Sequence, residues 1–208
     1  MHLNNLHRNG TGIVIGNGPS LRSVPDTFLT KHVTLGSNRI YLRHKPNYYA
    51  VVNPLVIEQN RQDIEGLATV KFVRAGMDMH GYQMNRRHKP LWSMEPLVWI
   101  NEGYTVTYVL LQIAYYLGLT TVLLVGVDHR YQYDGKPNAT KLMEGDDPNH
   151  FDPNYFTGQK WQTPDLEKSA KFYDVARKVY EADGRRIINL TEGTALDVFE
   201  KGNIAEWL

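Results

Sequence analysis

The run Thr121-Val122-Leu123-Leu124-Val125 is apolar at successive positions rather than at every second one, and it stops at Gly126. A strand with one wet face alternates apolar and polar residues. An unbroken apolar run needs cover on both faces, as helices on either side of a parallel sheet provide. Tyr49-Ala50-Val51-Val52 has the same character, and Gly12-Ile13-Val14-Ile15 forms another short apolar run that ends in a glycine turn. Together with 33–35, 70–73 and 187–190, these runs predict six strands at 12–15, 33–35, 48–52, 70–73, 121–125 and 187–190. Helical patterns lie between them. The stretch 107–117 is apolar almost all round and is halted by Gly118, whereas 165–183 carries its apolar residues on one stripe and is halted by Gly184. The expected class is α/β: one Rossmann-like domain over residues 1–208, with a mostly parallel twisted sheet and helices on both faces. No repeat, linker or shift in composition divides it.

In such a sheet, ligands bind outside the carboxyl ends of the strands. Several chemistry-bearing residues fall there. Gly16-Asn17-Gly18-Pro19-Ser20-Leu21 follows the first strand, and its glycines would let a phosphate or sugar approach bare backbone, with Pro19 suited to a first helical turn. The stretch has neither the third glycine of a dinucleotide fingerprint nor the Gly-Lys-Ser/Thr of a phosphate loop. Asn38 and Asn53 also follow strands, where a carboxamide either reads a base or ribose or bonds its own turn. Gly126-Val127-Asp128-His129 ends the fifth predicted strand, so Asp128 is either a site residue or a capping aspartate. Thr105 and Thr107 open the apolar helix, where hydroxyls and free N–H groups either receive an anion or simply cap.

The formal charge of +1, from 23 basic and 22 acidic residues, argues against the one-sided basic field of a nucleic-acid binder and for a small-molecule partner. Without cysteine the chain has no disulfide framework and no thiolate metal site. Met1 to Asn9 has no apolar core of a signal peptide, and no run reaches the ~18 residues of a membrane span. A soluble, cytoplasmic protein is expected. Two long stretches, 74–95 and 129–163, break the strand and helix rhythm and read as functional loops. In the first, Arg86-Arg87-His88-Lys89 is either a lid over a charged ligand or solvated surface. In the second, Asp146, Asp147, His150 and Asp152 join Asp128 and His129 as hard ligands, but their spacing matches no metal motif, and no dedicated metal is expected.

In order and spacing, Gly16-Asn17-Gly18-Pro19-Ser20-Leu21, Ser37-Asn38-Arg39-Ile40-Tyr41, Asn53-Pro54, the threonine-rich helix start ending in Tyr116-Leu117-Gly118, and Gly126-Val127-Asp128 with tyrosines after it resemble the bacterial sialyltransferases that use CMP-activated sialic acid. The pattern also resembles a wider group containing motility-associated nonulosonate transferases and 6-hydroxymethylpterin diphosphokinase. It spans residue 12 to about residue 199. The resemblance implies a variant of the GT-A fold and a metal-independent, inverting transfer of a nonulosonic acid from a CMP-activated donor to a sugar hydroxyl of a glycan acceptor. By the same comparison, Gly16, Asn17, Gly18, Pro19, Ser20, Asn38, Asn53, Thr105, Thr107 and Gly126 hold the nucleotide.

Asp128 and its neighbours would then carry the chemistry, with Tyr131 and Tyr133 near, though out of register with, the tyrosines that support the departing phosphate. Val106 stands where the resemblance implies serine. The histidine expected before the last long helix is missing from Tyr155-Phe156-Thr157-Gly158-Gln159-Lys160, so His150 is the nearest general base, beside Asp152, with His129 second. The diphosphokinase resemblance instead implies ATP and Mg2+, and the missing histidine also allows a catalytically silent nucleotide-binding domain. Self-association and peripheral membrane association are left open.

Overall fold

The computed structural model describes residues 2–208. In chain order the strands are β1 Thr11–Ile15, β2 Val33–Ser37, β3 Tyr48–Val51, β4 Val70–Arg74, β5 Tyr82–Arg86, β6 Trp99–Ile100, β7 Thr121–Val125, β8 Thr140–Leu142, β9 Lys160–Gln162, β10 Arg186–Asn189 and β11 Glu200–Lys201. Five α-helices join them: α1 Asp26–Leu29, α2 Pro54–Gln59, α3 Arg61–Glu65, α4 Val106–Tyr116 and α5 Leu166–Ala182. Nine strands form one sheet in the order β11-β10-β7-β1-β2-β3-β4-β5-β6, and every neighbouring pair in it is parallel. β8 and β9 form a separate antiparallel ribbon.

The unbroken apolar runs are explained by two cores that interleave residue by residue. On β1, Val14 packs with α4 and α5 on one face while Ile13 and Ile15 pack on the other, beside Phe28, Ile57 and Tyr155. On β7, Leu124 and Leu123 divide in the same way. Fully covered strands cannot alternate in polarity, because each side chain leaves water whichever way it points. Burying a Leu, Ile or Val side chain contributes about 1.5–3 kcal/mol, so these central strands dominate the driving force for the fold.

The long stretches read as loops are more ordered than expected. Residues 74–95 contain β5, whose burial is confined to Met84; the other four side chains remain at least partly in contact with solvent, so the strand carries no apolar run. Residues 129–163 contain the β8 and β9 ribbon and deliver Met143, Phe151, Tyr155, Phe156 and Trp161 into the second core. Their aromatic residues are scattered among polar ones because the segment folds over the sheet without regular periodicity. Among the described residues, no helix is long and apolar enough to cross a membrane.

One polar side chain fixes the edge of the sheet near the strand ends. Gln112 of α4 is fully buried; its oxygen accepts from the N–H groups of Ser93 (3.1 Å) and Asn101 (3.3 Å), and its amide donates to the Asn101 carbonyl at 2.8 Å. Replacing it with leucine leaves two buried N–H groups and a carbonyl unpaired, at about 1–3 kcal/mol for each unsatisfied group. Gln112→Leu is therefore expected to destabilise the protein by about 3 kcal/mol or more. A denaturant midpoint unchanged from wild type would refute this role.

Candidate active site

The chain runs outward from β1 through β2 to β6, then returns through α4 to place β7 on the other side of β1. This reversal is the topological switch point, where diverging connections leave a crevice at the carboxyl ends of the strands. A cavity of about 1100 Å³ lies there, lined by Gly16, Asn17, Gly18 and Asn38 from the ends of β1 and β2 and by Gly126, Asp128 and His129 from the end of β7. Asn53, Thr105, Thr107, Tyr131 and His150 also reach it. The distant segments singled out in the sequence therefore converge on one rim. Pro19, Ser20 and Tyr133 do not line it.

The glycines, which line the cavity, are also required by the packing of the strand ends. A Cβ on Gly16 would lie 2.3 Å from the Gly126 carbonyl oxygen, and one on Gly18 would lie 1.9 Å from Asp128 Oδ2. These glycines let the ends of β1 and β7 touch, with Gly16 N–H donating to Val125 and Gly18 N–H to Gly126. Pro19 begins a 3-10 turn, as its fixed φ allows, and Ser20 turns away to hold Asp128. The Ser20 hydroxyl donates to Asp128 Oδ2 at 2.7 Å and its N–H to Oδ1 at 3.2 Å. With both oxygens engaged, Asp128 braces the switch point and is poorly placed to act as a proton acceptor.

Three other residues singled out in the sequence already have structural partners. The Asn53 oxygen caps α2 by accepting from Leu55 N–H at 3.0 Å, and its amide donates to Gln162. Thr105 caps α4 through Thr107 N–H. The Tyr133 hydroxyl donates to the Pro164 carbonyl while its ring meets Trp161 edge-on, so its phenol is withdrawn from the cavity. Asn17 and Asn38 differ from these. Their carboxamide oxygens are buried with no hydrogen-bond partner, although both residues line the cavity. Each is an acceptor in want of a donor, an arrangement that costs about 1–3 kcal/mol unless a ligand or water completes it.

His150 is placed by an extensive set of contacts. It is 6% exposed, its Nδ1 lies 2.8 Å from Asp147 Oδ2, and its ring stacks on Tyr155 with centroids 4.1 Å apart and planes 5° from parallel. Its backbone is tied down as well: Arg22 donates to the His150 and Phe151 carbonyls, and Phe151 N–H donates to the backbone carbonyl of Asn17. Asn149 exchanges two hydrogen bonds with the Gln132 backbone and so joins this loop to the one bearing Tyr131. The partner of His150 is thus Asp147, not Asp152, whose carboxylate accepts from Asn154 N–H instead. An ionised carboxylate only accepts, so Nδ1 is the nitrogen that donates to Asp147, and in the neutral imidazole Nε2 is the one left to accept.

A second group of hydroxyls lies beside this dyad. Tyr173 of α5, which the sequence presents only as part of an apolar stripe, places its hydroxyl 3.4 Å from Thr105 Oγ1 and lines the cavity. Burial pushes the phenols of Tyr131 and Tyr173 up, so both stay protonated and able to donate. Burial lowers the His129 imidazole, which meets the Tyr173 ring edge-on, and so favours its neutral form. The far wall is cationic: Arg74, Arg86 and Arg87 stand at the ends of β4 and β5, and Glu102 lies within 3.7 Å of Arg74 and 3.5 Å of Arg86. Of the basic run read as a lid or solvated surface, Arg86, Arg87 and His88 line the cavity, whereas Lys89 is exposed outside it. Among the described residues, no three His, Asp or Glu side chains are grouped to hold a metal ion.

No protein-family model and no curated protein matches this sequence. Solved structures that share its fold include two glycosyltransferases. The MAf glycosyltransferase of Magnetospirillum magneticum AMB-1 superposes with a TM-score of 0.59 at 13% identity over 98% of this chain and 35% of that one, so the present chain spans about a third of its length. The sialyltransferase CstII of Campylobacter jejuni, solved with the substrate analogue cytidine-5'-monophosphate, gives a TM-score of 0.52 at 15% identity over 97% of this chain and 85% of that one. The fold is thus the sialyltransferase-like one that the sequence motifs resemble.

Proposed function

We propose that this chain is a glycosyltransferase that moves a nonulosonic acid from a CMP-activated donor to a sugar hydroxyl with inversion, without a resident metal. The observation that carries this reading is the lining of the cavity at the switch point: two asparagines whose carboxamide oxygens are unpartnered, protonated phenols and the Asp147-buttressed His150. Asn17 and Asn38 accept from the cytidine amine or ribose hydroxyls. His150 Nε2 takes the proton of the acceptor hydroxyl as its oxygen attacks the anomeric carbon from the face opposite the nucleotide. The bond from that carbon to the phosphate oxygen breaks, and Tyr131 and Tyr173 donate to the departing CMP. Donors fixed in advance where negative charge develops are the arrangement that lowers such a barrier. The shared fold with CstII, solved with cytidine-5'-monophosphate, supports the choice of nucleotide.

A thermal-shift series with CMP and ATP, each with and without Mg2+, tests the reading. At a hundredfold excess over Kd, a ligand that binds only the folded state contributes about 2.7 kcal/mol, which for a chain of this size raises Tm by roughly 5–10 °C. CMP is expected to give that rise with EDTA present, and Asn38→Ala to weaken CMP about tenfold. A shift with ATP and Mg2+ alone would instead identify the diphosphokinase chemistry. CMP binding without transfer would leave a silent nucleotide-binding domain.

A further inference from the structure

The nucleotide and the base account for only part of the cavity. Its volume of about 1100 Å³ is at the upper limit of the roughly 300–1,000 Å³ usual for ligand sites, and its lining extends from the Gly16 turn to the ends of β4 and β5. The remaining wall is chemically distinct. Arg74 ends β4, Arg86 ends β5, and Arg87 follows it, three and four strands away from β1 in the sheet order. At the usual strand spacing, β5 lies about 19 Å from the Gly16 turn.

The charges on this wall do not cancel. Arg74 and Arg86 share the single carboxylate of Glu102, and Arg87 has no carboxylate partner; its guanidinium lies over the Trp99 ring, 5.3 Å from the centroid. Three cations against one anion leave an excess of positive charge facing the cavity. Two residues after Glu102, Tyr104 is half exposed at the same cavity with φ +61, a left-handed backbone that a bulky aromatic residue rarely adopts. Its ring is backed by Phe172, with centroids 5.8 Å apart. Strain of this kind persists where the surroundings impose it, and here it holds the ring, with Lys168 Nζ 4.9 Å from its centroid, at the same cavity as the guanidinium forks. Sugars stack on such a ring, and carboxylates and phosphates pair with such a fork.

We propose that this wall is the acceptor subsite and that it selects an acidic glycan, whose sugar ring lies on Tyr104 and whose carboxylate or phosphate is held by Arg86 and Arg87. The inference rests on the glycosyltransferase reading, because it assigns the second ligand of that same cavity.

The test is a calorimetric or NMR titration of the protein, with and without saturating CMP, using a neutral methyl hexoside, the matching methyl uronoside and the hexose 6-phosphate. One of the two charged sugars is expected to bind about 10- to 100-fold more tightly than the neutral one, the gain typical of a charge-assisted hydrogen bond, and the pair distinguishes carboxylate from phosphate selection. Arg87→Gln should remove that preference, and Arg87→Lys, which keeps the charge but loses the fork, should restore part of it. Equal affinity for neutral and charged sugars overturns the proposal, as does competition between the charged sugar and CMP, which would place the anion in the nucleotide half. Failure of CMP itself to bind refutes the glycosyltransferase reading, whereas retained CMP binding with no charge preference refutes the acidic acceptor alone.

Discussion

Replacing His150 with alanine is expected to slow sugar transfer by roughly 10²–10⁴-fold, the usual contribution of a positioned general base, while CMP still raises the melting temperature. The expectation rests on position. The ring is fixed on three sides: by Asp147 at Nδ1, by the parallel Tyr155 ring, and by Phe156 edge-on. Tyr155 is itself fixed, because its hydroxyl accepts from Arg39 N–H at 2.9 Å. Asp147→Asn should lose part of the rate with little effect on nucleotide binding, since an amide no longer enforces the tautomer with a lone pair at Nε2. Added imidazole should restore some activity to His150→Ala if the defect is the missing base and not a collapsed loop. The rival assignment is His129, which also lines the cavity without a carboxylate partner. If His129→Ala abolished transfer while His150→Ala left it intact, the role would pass to His129.

The second large effect is expected at Gly16. Adding one methyl group there sets a carbon 2.3 Å from the Gly126 carbonyl oxygen and 2.7 Å from its carbon, both backbone atoms of the turn that directly follows β7. A flexible side chain could swing aside, but backbone anchored to the paired strand one residue earlier has little room to move. Relief requires parting β1 from β7 at the switch point and breaking the Gly16 to Val125 hydrogen bond of 2.8 Å. Overpacking of this kind costs about 3 kcal/mol, at the upper end of its usual range, and for a chain of about 200 residues that lowers Tm by roughly 6–12 °C. Gly18→Ala is the informative contrast, because its new carbon meets chiefly the Asp128 carboxylate, a side chain that can rotate, and the Gly126 carbonyl oxygen only at 2.9 Å. It should destabilise the fold less than Gly16→Ala while disturbing the brace from Ser20. A Gly16→Ala protein that melts with wild type would show that the strand ends part easily and that the rim is not rigid.

Much of the architecture can be read from the residues alone because the central strands are buried on both faces. Val33, Tyr48, Val70 and Thr121 begin observed strands where the apolar runs predict them, and the α4 and α5 helices appear within one residue of their expected bounds at both ends. β5 escaped notice because Tyr82, Gln83, Asn85 and Arg86 bury little, which removes the signal that hydrophobic periodicity provides. The same reasoning explains the aromatic residues of 151–161, whose burial depends on where a nonperiodic segment lands.

The rim of the site was legible for a related reason. Glycine, asparagine and aspartate at strand ends are local features, and a parallel sheet brings all such ends to one side. What each residue does there was not legible. Asn17, Asn38 and Asn53 look alike in the chain, but one caps a helix and two keep unpartnered buried oxygens. Asp128 and Asp147 are likewise indistinguishable by type, but one is consumed by Ser20 and the other orients His150.

The chain by itself determined the α/β class, the parallel sheet and the set of residues collected at its carboxyl edge, because burial on both faces and strand polarity are written into short local runs. Only the tertiary structure decided which of those polar atoms are already satisfied, that Tyr173 and the arginines of β4 and β5 share the cavity, and that Asp147 supports His150. Most of these partners, and the net local charge, depend on contacts between segments far apart in sequence, and even the local Asp147 and His150 pair is held by how its loop packs on Tyr155 and Arg22.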